Sequence, residues 1–180
     1  MEKELYTGKV LRVTEEEIGD VNYERVYLHE NVIVIPFTDQ GRIIFVLEKR
    51  PHEDPPERIK LVTGFYEQGF TPEENANREL REEIGKKAGT LIPYITCVRT
   101  GMVNERKHYV IARDLEDSKL PNPDGEDTIL EVREYDIDRV YGMLMQGKPR
   151  IDTTAYVLLR LCLELKSGSI PSAQAGATGQ

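Results

Sequence analysis

The sequence predicts a mixed α/β sandwich rather than a doubly wound parallel sheet. Segments with strand-like and helix-like patterns follow one another without the strict alternation that parallel strands and their crossover helices require. Two segments with helical spacing stand close together near the C-terminus. With 180 residues, the chain has the size of about one domain, since domains commonly have roughly 100 to 200 residues.

The N-terminal segments alternate apolar and polar residues, which is typical of strands that bury one face. Residues Lys9–Val13 and Glu24–His29 are predicted to be two strands of a small antiparallel layer. Asn31–Phe37 and Arg42–Arg50 are more uniformly apolar, and the turn residues Thr38–Gly41 stand between them. We therefore expect these two segments to form a hairpin of more deeply buried strands.

Three prolines in Pro51–Arg58 prevent the next segment from continuing the sheet, so a surface loop is predicted there. Strand patterns return later in the chain, in Leu91–Thr100, Lys107–Leu115 and Thr128–Asp136. Ile137–Gly147 and Thr153–Leu165 have helical spacing. Residues Ser167–Gln180 carry no charge and are rich in Ser, Ala and Gly, so we expect a single domain over 1–166 and a disordered tail.

Composition argues against several classes of protein. A formal net charge of −8 and a pI near 5.1 disfavour nucleic acid as a partner. The sequence has no apolar run of spanning length and no signal-peptide pattern, so we expect a soluble, cytoplasmic protein without a membrane partner. Cys97 and Cys162 form no CxxC pair and no HExxH is present, which argues against a disulfide scaffold or a structural zinc site.

One helix can be located from its start signal. Thr71 supplies an N-cap hydroxyl, Pro72 suits the first helical position, and Glu74 stands three residues after the cap. Three apolar residues then fall within one narrow arc of this helix and predict its buried face: Ala76, Leu80 and Ile84.

Three carboxylates lie beside that apolar stripe, on Glu79, Glu82 and Glu83. Like charges at these spacings destabilise an isolated helix slightly, whereas a divalent cation would reverse the sign of that interaction. Oxygen ligands without imidazole or thiolate suit a hard ion such as Mg²⁺ or Mn²⁺, which favours phosphate as a further ligand. The alternative is an ordinary solvated helix face in which Arg78 and Glu82 form an ion pair.

The spacing of the whole segment is more specific than the cluster alone. Gly64 is followed, after thirteen residues, by the string Arg78-Glu79-Leu80-Arg81-Glu82-Glu83-Ile84-Gly85. This resembles the Nudix box, G-x5-E-x7-R-E-U-x-E-E-x-G-U, where U is a bulky apolar residue. Seven residues stand at box positions: Gly64, Arg78, Glu79, Leu80, Glu82, Glu83 and Gly85. Phe70 replaces the first glutamate and Lys86 replaces the last apolar residue.

Beyond the box, the chain is similar to the ADP-ribose pyrophosphatase branch of the family. The supporting segments are ERVYLHENVIVIP, FVLEKR before the proline-rich loop, TGMVNERKHYVIARDL and PDGEDTILEVREYD. The branch usually has Glu-Leu-Pro-Ala before the box glycine, whereas this chain has Lys60-Leu61-Val62-Thr63. The resemblance implies an α/β/α sandwich with a mixed sheet and a small N-terminal antiparallel strand layer.

The resemblance also implies a metal site. In the family, the glutamates that match Glu79, Glu82 and Glu83 hold the metal ions, so we expect Mg²⁺, with Mn²⁺ possible in its place. The backbone carbonyl of Thr63 is expected to be a further ligand, and Glu82 is also a candidate catalytic residue. Gly64, Arg78 and Gly85 are the other box residues with an expected role.

Three further expectations follow from the resemblance. The branch can use a carboxylate after its late strands as general base; Glu126 matches best and Asp127 second, although this loop could instead be a solvated acidic turn. Arg25 and Arg50 match positions that contact substrate phosphate or nucleotide, although each could instead be a surface charge. A homodimer is expected through the N-terminal strands in residues 1–30.

The resemblance therefore implies a Mg²⁺-dependent hydrolase that cleaves the pyrophosphate bond of a small nucleoside diphosphate derivative. ADP-ribose is the first candidate substrate and other sugar nucleotides come next. The alternative is a Nudix-fold nucleotide-binding sensor or interaction module without turnover, and Phe70 is the residue that favours it.

Other sites are weaker interpretations of the sequence. Gly64-x4-Gly69-Phe70-Thr71 resembles a P-loop, but Phe70 occupies the position of the essential lysine. No G-x-S-x-G motif is present for a serine hydrolase. His29, His52 and His108 are scattered, and none anchors a mechanism.

Overall fold

The computed structural model describes residues 1–121, 128–148 and 153–169. The strands of this part are β1 (Lys3–Thr7), β2 (Leu11–Ile18), β3 (Val21–Leu28), β4 (Asn31–Pro36), β5 (Ile43–Lys49), β6 (Glu57–Lys60), β7 (Val62–Phe65), β8 (Lys86–Arg99), β9 (Val103–Asp117) and β10 (Ile129–Tyr135). The helices are α1 (Pro72–Glu83), α2 (Ile137–Met145) and α3 (Thr153–Lys166).

The larger sheet is mixed. Its described strands have the order β1-β2-β3-β9-β4-β7, and β8 also pairs with β9. Strand β9 runs parallel to β3 and β4, but antiparallel to β8. The three N-terminal strands are antiparallel to one another, and β3 joins β9 through Val26 and Tyr27. The predicted mixed sheet with an N-terminal antiparallel layer is therefore confirmed.

The predicted hairpin of the fourth and fifth strands is wrong. Strand β4 pairs with β7 and β9, whereas β5 pairs with β10 and β6 in a second, antiparallel sheet. Only a single bridge between Phe37 and Ile43 joins the two segments. Both strands are apolar on both faces, so their pattern indicates burial but gives no information about which strands are their neighbours.

Two apolar cores lie on opposite faces of β4. Val32 and Val34 belong to the core that includes Ala76 and Leu80 of α1. Alternate residues of the same strand face the other core, which α2 and α3 cover; this core includes Ile33, Ile35, Val140, Val157, Leu158 and Leu161. The sheet is thus enclosed between α1 on one side and α2 with α3 on the other, which confirms the α/β/α sandwich.

Several element boundaries differ from the sequence-based ones. Strand β1 was not predicted, because every one of its side chains is exposed and burial leaves no pattern there. The predicted proline-rich loop ends earlier, at the start of β6. Strands β8 and β9 form one long hairpin, and their turn is shorter than the predicted loop. Both C-terminal helices are confirmed within a few residues.

The C-terminal end of α3 continues into the start of the predicted tail. The backbone amides of Ser167, Gly168 and Ser169 donate to carbonyls of the last helical turn. Residues 170–180 lie outside the described residues, so disorder of the tail stays a prediction. None of the described helices is long and apolar enough to cross a membrane. Cys97 and Cys162 are both free thiols.

Candidate active site

Helix α1 begins as its sequence predicts. The Thr71 hydroxyl accepts a hydrogen bond from the Glu74 amide (3.2 Å), and the Glu74 carboxylate accepts one from the Thr71 amide (2.8 Å). The two bonds form a reciprocal capping box, and Pro72 occupies the first turn. Beyond the helix, Gly85 has φ +68°, a conformation that glycine adopts without the strain other residues would meet.

The buried stripe of α1 determines where its carboxylates lie. Ala76 and Leu80 are fully buried against the sheet. Glu79 and Glu83 flank this stripe, so the fold draws both carboxylates into partly dehydrated positions beside β7. The side chain of Glu79 is only 10% exposed. The structure thus places Glu79 and Glu83 beside the apolar stripe, as their helical spacing predicts.

Gly64 lets the Glu79 carboxylate approach the backbone of β7. A Cβ atom at this position would lie 1.9 Å from Glu79 Cδ and 2.1 Å from each of its carboxylate oxygens. No relaxed structure contains contacts that short between unbonded atoms. The position of Glu79 on α1 therefore requires glycine at residue 64 of β7, because any side chain there would overlap the carboxylate.

Arg78 links the helix to the loop before it. Its guanidinium contacts the Glu67 carboxylate, lies 3.0 Å from Glu79 Oε1 and 3.9 Å from Glu82 Oε1. Its Nη2 also lies 3.5 Å from the Phe65 carbonyl. Arg78 therefore neutralises part of the carboxylate cluster and fixes the loop that joins β7 to α1.

A buried asparagine, Asn75, holds the same loop. Its side-chain carbonyl accepts from the Glu67 amide (3.0 Å), and its amide group donates to the carbonyls of Glu67 (3.3 Å) and Thr71 (3.0 Å). These bonds satisfy an amide that is only 1% exposed. Asn75 is a positioning residue that the sequence analysis missed, since it falls at an unspecified position of the box.

A lysine, Lys60, lies between two buried carboxylates. Lys60 Nζ is 2.8 Å from Glu83 Oε1 and 3.3 Å from Glu48 Oε1. The Glu48 carboxylate also lies 2.6 Å from Arg50 Nε and 3.5 Å from Arg58 Nη2. This network of two carboxylates and three cations connects β5 and β6 to the end of α1.

Two signals in the sequence point to that network. Lys60 occupies the position at which the branch usually has glutamate, so a reversed charge stands next to the box. Glu48 follows Ile44 and Val46 at alternate positions of β5, which places its side chain on their buried face. A carboxylate on a buried face needs a cationic partner, and Lys60 supplies one.

Burial raises the pKa of two box glutamates. Burial raises the pKa of Glu79 to about 7; the hydrogen bond from Arg78 opposes this shift, and the charge of Glu82 adds to it. The pKa of Glu83 is also raised, first by burial, whereas Lys60 and the Thr63 backbone favour its charged form. Both carboxylates therefore lie where additional positive charge would be strongly stabilising.

The donor set fits a hard divalent cation. Glu83 Oε2 is buried and has no hydrogen-bond partner among the described residues, which leaves an anionic oxygen unsatisfied. Within residues 1–121, 128–148 and 153–169, no three acidic, histidine or cysteine side chains already stand together as a metal site. Arg78 and Lys60 hold oxygens of Glu79 and Glu83, so the carboxylates would have to turn from these cations to share an ion.

The two arginines expected at the substrate occupy different regions. Arg50 contacts Glu48 and so belongs to the network around Lys60. Arg25 lies on β3, with its Nη1 3.1 Å from Glu16 Oε2. Glu126 and Asp127, the two candidates for the general base, lie outside the described residues.

Phe70 lies at the surface just before α1. It is 52% exposed, and its carbonyl accepts a hydrogen bond from the Tyr66 hydroxyl (2.7 Å). The departure from the box at this position is therefore not compensated by burial in the core. A charged side chain could occupy the same position without losing its hydration.

Comparisons with known proteins agree with this geometry. The model of the NUDIX domain family matches residues 27–156. ADP-ribose pyrophosphatase of Bacillus subtilis (strain 168) is 29% identical over 171 residues, which cover 90% of each chain. A methanol dehydrogenase activator of Bacillus methanolicus is 26% identical over 148 residues, or 76% of each chain.

One of the solved structures has the same fold. The crystal structure of an ADP compounds hydrolase superposes with a TM-score of 0.75 at 19% identity, and the match covers 94% of this chain and 93% of that one. The family match spans well over half of the 180 residues and includes the whole box segment from Gly64 to Gly85. The chain therefore belongs to the Nudix family.

Proposed function

We propose that the protein is a divalent-metal-dependent Nudix pyrophosphatase that hydrolyses nucleoside diphosphate derivatives, with ADP-ribose as the leading substrate. The observation that carries the proposal is the placement of Glu79 against Gly64 and of Glu83 with a buried, unsatisfied oxygen, both beside the end of β7. The name of the Bacillus subtilis relative supports ADP-ribose as substrate. Other sugar nucleotides are the next candidates.

Four groups would hold the cation: the carboxylates of Glu79, Glu82 and Glu83 and the backbone carbonyl of Thr63. A bound Mg²⁺ or Mn²⁺ supplies charge stabilisation at phosphoryl oxygens and lowers the pKa of a coordinated water. Oxygen ligands of this kind match the preference of both ions.

The chain's own residues position the reacting groups. Gly64 leaves space for Glu79, and Arg78 holds the box loop and helix together. Arg50 offers a guanidinium for a phosphate of the substrate, since its side chain is one-third exposed. Glu126 takes the proton of the attacking water, with Asp127 as the second candidate. Water adds across the P–O–P bond, and two phosphomonoesters leave; ADP-ribose would give AMP and ribose 5-phosphate.

The N-terminal layer is the proposed dimer surface. Large apolar side chains are exposed on β1 to β3 and the turns that join them: Leu5, Tyr6, Val10, Ile18, Val21 and Tyr23. Exposed apolar residues collected in one layer are typical of an interface. A second copy of the chain is the proposed partner, and it would cover this layer through residues 1–30.

The second candidate function is nucleotide sensing or protein interaction without turnover. Phe70 favours it, because the first box glutamate is missing and the substitute is exposed rather than packed. The name of the Bacillus methanolicus relative, an activator of another enzyme, gives this candidate some support.

A substrate panel distinguishes the two candidates. Purified protein is incubated with Mg²⁺ or Mn²⁺ and with ADP-ribose, other sugar nucleotides, dinucleotides or nucleoside triphosphates, and the products are separated by ion-exchange chromatography. We expect ADP-ribose to yield AMP and ribose 5-phosphate, with no product after chelation of the metal. Tight binding of ADP-ribose without product over hours would instead identify a sensor.

A further inference from the structure

We propose that the ammonium group of Lys60 competes with the divalent metal for the Glu83 carboxylate. The inference rests on the proposed function, because it concerns the same metal site. Lys60 is the last residue of β6, and Leu61 alone separates it from Val62, the first residue of β7. Its ammonium group lies 2.8 Å from Glu83 Oε1.

Lys60 is held in this position from two sides. Its side chain is only 12% exposed, and its Nζ also lies 3.3 Å from Glu48 Oε1. Burial by itself would raise the pKa of Glu48, but Lys60 and Arg50 keep that pKa below its ordinary value. The Glu48 carboxylate therefore favours its charged form and holds the Lys60 ammonium group close to the end of α1.

The contact leaves Glu83 with one oxygen for a metal. Oε1 receives the lysine, whereas Oε2 is buried and has no hydrogen-bond partner in the described part of the chain. A cation bound at Oε2 would lie within a few ångströms of the ammonium group. Two positive charges at that separation repel each other strongly in a partly dehydrated site. Lys60 thus weakens metal binding, although it stabilises the metal-free fold.

The effect is specific to Lys60 among the neighbouring cations. Arg58 contacts the same Glu48 carboxylate at 3.5 Å, but its other ion pair is with Glu53 and not with Glu83. Loss of Arg58 therefore removes a positive charge from the network and leaves the Lys60–Glu83 contact in place. Arg58→Met is the matched control for Lys60→Met, because both replace a long cationic side chain with an apolar one.

The test is a titration of metal-free protein with Mn²⁺, followed by calorimetry and by the electron paramagnetic resonance signal of free Mn²⁺. At mildly alkaline pH we expect Lys60→Met to bind Mn²⁺ at least about tenfold more tightly than wild type, as expected for removal of a neighbouring like charge. Arg58→Met should bind like wild type. The melting temperature gives a second measure, since Mn²⁺ should raise it more in Lys60→Met than in wild type.

Lys60→Met leaves two buried carboxylates without their lysine, which destabilises the fold. Two further variants therefore test the same point without relying on Lys60→Met. Lys60→Met/Glu48→Gln removes one charge of each sign and should also bind Mn²⁺ more tightly than wild type. In Glu48→Gln, Glu83 is the sole carboxylate partner left to Lys60 among the contacts described above. The Mn²⁺ affinity of this variant should therefore equal that of wild type or fall below it.

The outcomes separate the inference from the proposed function. Wild-type protein that binds Mn²⁺, together with lysine variants that bind it equally or more weakly, overturns the role of Lys60 and leaves the metal site standing. Equal tightening in Arg58→Met and Lys60→Met would show a general charge effect and also overturns it. Absence of Mn²⁺ binding by every protein in the set overturns both the inference and the proposed metal site.

Discussion

The Glu79 carboxylate occupies the space that a side chain on Gly64 would fill, with Glu79 Cδ 1.9 Å from the position of the missing Cβ. The two residues belong to different elements, β7 and α1, and the packing of α1 on the sheet brings them together. A glycine and a glutamate of the box are therefore joined by a direct steric requirement.

The first prediction follows from this contact. Gly64→Ala should displace Glu79 from the backbone of β7, lower the free energy of unfolding by about 1 to 3 kcal/mol, as overpacked sites do, and weaken Mn²⁺ binding. Thermal melts and a Mn²⁺ titration measure the two effects.

Gly142→Ala on α2 is the control, since a Cβ there meets nothing within 4 Å. That control should be neutral or stabilising by about 0.5 to 1 kcal/mol. Unchanged metal binding in Gly64→Ala would mean that Glu79 does not need this position.

The second prediction concerns the charge of Glu83. Glu83→Gln keeps the shape of the side chain and removes one anionic ligand, so turnover should fall at least about 10²-fold, or roughly 3 kcal/mol of transition-state stabilisation. Steady-state kinetics at saturating Mg²⁺ measure the loss, and circular dichroism checks the fold. Glu73→Gln, in the first turn of the same helix, should keep full activity. Retained turnover in a correctly folded Glu83→Gln would contradict the metal-site assignment.

Phe70 gives the third prediction. Because Phe70 is 52% exposed, Phe70→Glu should leave the melting temperature nearly unchanged. The added carboxylate restores the box residue and should raise kcat/KM or lower the Mg²⁺ concentration needed for half-maximal rate. Phe70→Gln is the control, because glutamine has the size of glutamate without its charge. This variant should change neither quantity. A marked loss of stability in Phe70→Glu would show that the ring is packed in solution.

The fourth prediction identifies the general base. Glu126→Gln should lower kcat by about 10² to 10⁴-fold with little change in KM, as expected when a proton acceptor is lost. Asp127→Asn should have a smaller effect. Steady-state kinetics of both variants with the best substrate of the panel provide the measurement. The opposite order of effects would transfer the role to Asp127.

The fifth prediction tests the dimer. Val21 and Tyr23 are exposed on the same face of β3, two residues apart. Replacing both with lysine should dissociate the dimer, because unpaired charges would be buried at its interface. Sedimentation velocity on wild type and variant measures the assembly. Leu163→Lys, which changes an exposed leucine on α3, should leave the dimer intact. If the wild-type protein is itself monomeric at the protein concentration used for the variants, the proposed dimer is wrong.

The sequence determined a large part of the architecture and of the candidate site. The N-cap, the proline and the spacing of Ala76 and Leu80 located α1, because these are local signals whose physical basis lies within a few residues. The same periodicity placed Glu79 and Glu83 beside the buried stripe. Family membership also followed from spacing in the sequence, since the box residues stand at fixed separations along one segment.

The pairing of the central strands β4 and β5 was decided by the tertiary structure alone. The apolar runs of β4 and β5 show that both strands are buried, but their alternation is compatible with any neighbour, and the hairpin expected between them does not form. Pairing depends on contacts far apart in sequence, such as β4 with β9, and no local pattern encodes these. Strand β1 was missed for the opposite reason, since its side chains are all exposed.

The electrostatics of the site also depend on the tertiary structure. The sequence shows that Lys60 replaces an expected glutamate, but only the fold places its ammonium group between Glu48 and Glu83. Burial of Glu79, which raises its pKa, likewise comes from the packing of α1 on β7. The sequence sets which charges are available, whereas their distances and their separation from water, on which the interaction energies depend, exist only once β5, β6 and α1 are packed together.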